Sequence, residues 1–160
     1  MSIWKRLFGR SRLPEPTRTD PRFTDNGDET ITDRLTGLIW AKKADTPTIG
    51  AFEGGAMQWM RSFEYIEALN AASYLGHNDW RVPDISELES LVAHRRDVPY
   101  EWLAEKGFEN VVLASYWSAT TYAANTDSAW DLFMYDGRVS NNYKTKYQLV
   151  WPVCGRQLPS

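Results

Sequence analysis

Asp79-Trp80-Arg81-Val82-Pro83-Asp84-Ile85-Ser86-Glu87-Leu88 is the stretch on which the fold turns. Pro83 ends whatever extended segment precedes it, and Asp84 opens a helix. Glu87 stands three residues after Asp84, an Asp-x-x-Glu variant of the capping box, in which each side chain satisfies a backbone N–H at the helix start. Ile85, Leu88, Leu91 and Val92 follow at helical spacing and predict its buried face, and the helix runs out around Arg95-Arg96-Asp97, before Pro99.

Working back from this stretch, Ala56, Trp59, Phe63, Ile66 and Leu69 recur at three- and four-residue steps, with Arg61, Glu64 and Glu67 opposite. They predict a first amphipathic helix ending near Ser73. A loop with Pro47, Gly50, Gly54 and Gly55 leads into it. Before the loop, Arg22 to Trp40 reads as short strands and tight turns: Asp25-Asn26-Gly27-Asp28 and Asp33 to Gly37 are turns, while Thr30-Ile31-Thr32 and Leu38-Ile39-Trp40 are strands. Three Asp and one Asn here raise a calcium reading, but EF-hand spacing is absent and the turn reading is preferred. Pro14, Pro16 and Pro21 mark residues 1–21 as a tail, with the domain spanning 22–157.

Working forward, Val98 to Leu113 reads as irregular, anchored by Trp102 and Phe108. Tyr116–Tyr122, Ala129–Tyr135, Arg138–Asn141 and Gln148–Val153 are predicted strands, and Asp136-Gly137 signals a hairpin. Asn141 to Tyr147 reads as an exposed loop. Strands, two helices, then strands is an α+β order rather than alternating βαβ. Trp80, Trp117 and Trp130 are expected in the core.

Several of these stretches also carry a resemblance. Arg22 to Asp28, Ile31 to Asp33, Leu35 to Leu38 and Trp40, then Asp79 to Pro83 with Glu87-Leu88, then Tyr116 to Ser118, Ala129-Trp130 and Asp136-Gly137, resemble in order the C-terminal domain of collagen-like adhesins (the Lcl C-terminal domain family). Trp-Arg-Val-Pro is also similar to the arginine-leucine-proline run of the formylglycine-generating-enzyme and C-type-lectin-like superfamily. The resemblance implies a C-type-lectin-like fold: small twisted antiparallel sheets, two helices and a long irregular loop region. It also implies binding, since the namesake adhesin binds sulfated glycosaminoglycans through this kind of domain.

Composition sets the other bounds. A net charge of −3 gives no overall signal for nucleic acid. The 14% aromatic share supplies rings for a core and for stacking on sugars. No stretch is long enough to span a membrane. The chain holds neither a collagen-like repeat nor a recognisable secretory signal, so a cytoplasmic location is the default expectation. Cys154 is the single cysteine, which rules out an internal disulfide and the paired-thiol chemistry of formylglycine generation. It is expected as a packed thiol in the last apolar strand. His77 and His94 have no nucleophile motif near them and form no zinc pair. No enzyme activity, cofactor or metal is therefore expected.

The expected function is that of a non-catalytic ligand-binding module. The candidate ligand-binding residues are Tyr135, Arg138, Asn141, Asn142, Tyr143, Lys144, Lys146 and Tyr147, which combine rigid aromatic area, adaptable amides and cations in a tail without acids after Asp136. The partner is read as an anionic glycan. The alternative is a protein ligand, held by a C-type-lectin-like variable protein of a diversity-generating retroelement, because Ser115 to Tyr147 is rich in Tyr, Asn, Ser and Thr.

Overall fold

The computed structural model describes residues 22–93 and 97–155. The basic tail at 1–21, His94 and Arg156 lie outside the described residues. Within them the fold is α+β, with two small antiparallel sheets and three helices.

The first sheet contains β1 (Phe23–Asp25), β2 (Thr30–Asp33), β3 (Leu38–Ala41) and β7 (Val153–Cys154), in the order β1-β2-β3-β7. The N-terminal strands are thus closed by the last strand of the chain. The turns work as their sequences require. Gly27 takes φ +75° between β1 and β2, and the Asp25 carboxylate accepts from its N–H. Asp28 accepts from the amide and hydroxyl of Thr30. Asp33 is buried and accepts two bonds from the Arg22 guanidinium, at 3.0 and 2.9 Å. The acids of this region are engaged in turn and ion-pair bonds.

The second sheet is β4 (Ser115–Thr121), β5 (Ser128–Phe133) and β6 (Arg138–Tyr143) in sequential order. Between β3 and β4 the chain forms α1 (Trp59–Ala71), α2 (Ile85–Val92) and α3 (Pro99–Glu105). The capping box is formed: Asp84 accepts from the Glu87 amide and Glu87 accepts from the Asp84 amide, each at 2.9 Å. Glu87 is itself buried and takes a bidentate pair from Arg81 at 2.6 Å on both arms.

The core centres on Trp151. Its ring meets Trp40, Phe108 and Tyr116 at centroid distances of 5.6, 5.2 and 5.7 Å, and its indole N–H donates to the Ala41 carbonyl. Trp80 and Trp117 are buried as expected, but Trp130 is only half-buried, packing edge-on against Tyr122.

Four expectations need correction. Val98 to Leu113 contains α3, which Pro99 opens from its first turn. Helix α1 starts at Trp59, leaves Ala56 exposed, and buries Ser62 and Tyr65 beside Ile66 and Leu69, with Phe63 half-buried. Gln148–Val153 is not one strand. Gln148 bridges Met57, Leu149 bridges Tyr116, and Pro152, which has no N–H for a ladder, precedes the two-residue β7. Finally, β6 continues to Tyr143, because Asn142 and Tyr143 keep pairing with Ala129 and Ser128.

Candidate functional site

The loop before α1 and the segment after β6 are stitched together along their backbones. Met57 and Gln148 exchange two bonds of 2.8 and 3.0 Å, and the Trp59 amide donates to the Lys144 carbonyl. The Trp117 indole also donates to Met57, so the core anchors the seam. Gly54 is required here: a Cβ at that position would sit 2.1 Å from the Thr46 carbonyl oxygen.

Two hollows flank this seam. One, of about 480 Å³, is lined by Glu53, Gly54, Ala56, Met57, Gln58, Arg61 and Tyr147. The other, of about 330 Å³, is lined by Ala56, Ala114, Ser115, Asn142, Lys146, Tyr147, Gln148 and Leu149. Ala56 and Tyr147 belong to both, so the hollows adjoin as one cleft. Tyr147 is 69% exposed and Lys146 is exposed. Beside the second hollow, Asp131 is fully buried and accepts from the side chains of Ser140, Asn142 and Gln148, all neutral donors. Gln148 spends its amide N–H on Asp131, and its Oε1 is buried without a hydrogen-bond partner. A buried acceptor of this kind is costly unless something donates to it.

The eight candidate residues fall into separate places. Asn142, Lys146 and Tyr147 line the cleft. Asn142 already donates to Asp131, so it shapes the wall. Lys144 is a structural clamp: its ammonium donates to Thr121 Oγ1 at 3.0 Å and the Thr126 carbonyl at 2.8 Å, and sits 4.1 Å from the centre of the Trp59 ring. Asn141 and Tyr143 pair with Trp130 and Ser128, and strand alternation puts them on the sheet face opposite Asn142. Tyr135 and Arg138 gather around Phe133 at the far end of the β5–β6 hairpin. The acid-free tail is therefore not a single basic patch.

The sequence matches the Lcl C-terminal domain over residues 29–154, from the β1–β2 turn to the last strand. The chain belongs to the Lcl C-terminal domain family. In this member of the family the matched region carries β2 to β7 and both walls of the cleft. None of the curated proteins compared with the chain matches it. The family is consistent with a binding-type domain. No helix among the described residues is long and apolar enough to cross a membrane.

Sequence reading missed the N-terminal wall, Glu53 to Gln58, and Gln148. The close Gly54-Gly55 pair was a signal for the wall. A lone Gln between Tyr147 and an apolar run was a signal for the floor.

Proposed function

We propose that this domain is a non-catalytic binding module, C-type-lectin-like in fold, whose ligand lies in the cleft under Tyr147 and is an anionic glycan. The observation that carries the reading is the convergence of three recognition elements on one cleft. Gln148, whose Oε1 is buried without a hydrogen-bond partner, stands in the cleft wall. Tyr147 offers a flat exposed ring for a sugar face, and Lys146 offers a cation at the rim. The fold reading is supported by the closure of β1–β3 on β7, which joins the first and last described strands in one sheet. The non-catalytic reading is supported by Cys154: burial pushes its thiol up to about 12, too high for a thiolate nucleophile at neutral pH.

The test is retention on immobilised heparin. Wild-type protein is expected to bind at low salt and elute as salt rises, with Lys146→Ala and Tyr147→Ala eluting earlier. Lys144 is unsuitable for this purpose, because its removal opens the clamp. Equal retention of both variants and wild type places the ligand elsewhere, and flow-through of the wild type sinks the anionic reading.

A second reading, a protein partner, has its own observation. Tyr143 is 57% exposed and stands with Asn141 beside half-buried Trp130 on the face away from the cleft. Capture of a partner that is lost in Tyr143→Ala, retained in Tyr147→Ala and insensitive to salt favours that reading.

A further inference from the structure

His77 and Asp79 lie more than seventy positions from Cys154 in sequence, and no spacing motif links the three. The fold nevertheless brings them together. One donor atom from each, an imidazole nitrogen, a carboxylate oxygen and the thiol sulfur, lie within 4.8 Å of one another. The backbone makes this meeting obligatory. Arg81 and Val153 exchange two bonds, at 2.8 and 3.2 Å, which dock the loop after α1 across β7. Cys154 is the second residue of β7 and is 1% exposed. The His77 ring is set edge-on to Trp80 at 5.4 Å, and the Trp80 indole is tied to the Tyr74 carbonyl. The His77 Nδ1 stands 3.9 Å from the Asp79 carboxylate.

We propose that His77, Asp79 and Cys154 form a binding site for one zinc-class divalent cation. The donor set selects the metal: thiolate and imidazole favour zinc and its neighbours over magnesium or calcium, which prefer all-oxygen shells. Zinc bonds of about 2.0–2.3 Å hold neighbouring donors roughly 3–4 Å apart, so the three atoms close on an ion by about an ångström. His77 is partly exposed and Asp79 exposed, so both can make that adjustment while buried Cys154 stays fixed. The charge balances. The thiol loses its proton to solvent as the sulfur–metal bond forms, and thiolate plus carboxylate then match the dication. Arg81, the neighbouring cation, is already matched by Glu87. Three protein donors leave a fourth position for water on the exposed Asp79 side.

The experiment titrates metal-stripped protein with Co²⁺ and then displaces it with Zn²⁺. A thiolate-to-cobalt charge-transfer band that saturates at one equivalent, and is abolished by zinc, is expected. Cys154 is buried, so Cys154→Ser can fail for reasons of folding. His77→Gln alters a partly exposed position and Asp79→Asn an exposed one, and each should weaken zinc binding at least about tenfold. Zinc should also raise the unfolding temperature of the wild type and do so less in both variants. The proposal is overturned by a correctly folded wild type that shows no thiolate band at one equivalent. It is equally overturned by wild-type zinc affinity in both His77→Gln and Asp79→Asn.

Discussion

The tryptophans of the described residues do different jobs, and residue-scale energetics separates them. Trp117 is fully buried, and its N–H holds the cleft seam through Met57. Trp117→Ala removes a large buried side chain and one of the two donors to the Met57 carbonyl, and is expected to cost about 3–5 kcal/mol. Trp130 keeps part of its ring in solvent, so Trp130→Ala is expected to cost only about 1–2 kcal/mol. Urea unfolding of the two variants checks the order, and equal costs contradict the placement of these rings. The same residue-scale view explains what was legible. Trp80 and Trp117 could be assigned to the core from their apolar neighbours. Trp130 could not be distinguished from them, because Ala129 and Leu132 near it in sequence are buried while Trp130 itself, packed against Tyr122, is only half-buried.

At the scale of elements, α2 was readable because its signals are local. Asp84, Glu87 and the apolar positions all act within two turns, and the helix begins where they say it should. The second role of Glu87 was not readable, since its bidentate partner Arg81 lies before the helix and only the fold shows that this carboxylate is buried. Asp84→Ala loses the cap and a bond from the exposed Ser86 hydroxyl, about 1 kcal/mol. Glu87→Ala loses half the capping box and leaves Arg81 unpaired. Arg81 keeps 40% of its side chain exposed and can rehydrate, so the cost belongs at the low end of the ~3–5 kcal/mol range for a broken buried pair. Chemical denaturation should therefore rank Glu87→Ala well below Asp84→Ala in stability. The cleft was half legible for a related reason. Lys146 and Tyr147 announce themselves by residue type, but the opposite wall comes from residues about ninety positions away. Lys144 looked equivalent to Lys146 until Thr121, Thr126 and Trp59 were seen around it.

At the scale of the whole molecule, the core is built from groups that must stay protonated to stay buried. Tyr116 donates to the Ala44 carbonyl and Tyr65 to the Pro47 carbonyl, and burial holds both phenols above their ordinary value of 10.0. Burial likewise lifts the Cys154 thiol from 9.0 to about 12. Each folded-state pKa is raised, so the stability it contributes is complete below the unfolded value and is lost as pH climbs toward the folded one. Between about pH 9 and 12 the unfolded chain releases protons that the native chain retains. Unfolding is then favoured by about 1.4 kcal/mol per pH unit for each group in its window. The free energy of unfolding is expected to be level from neutral pH to about 9, to fall once Cys154 can ionise in the unfolded chain, and to fall more steeply above 10 as the tyrosines join. Cys154→Ala removes the first stage, so its stability curve should start to bend near pH 10 rather than 9, whatever the substitution costs at neutral pH. Urea midpoints across pH 7–11 measure this, and an unchanged onset in Cys154→Ala would show that the thiol is not held in the buried, protonated state that the closure of β7 on the N-terminal strands imposes.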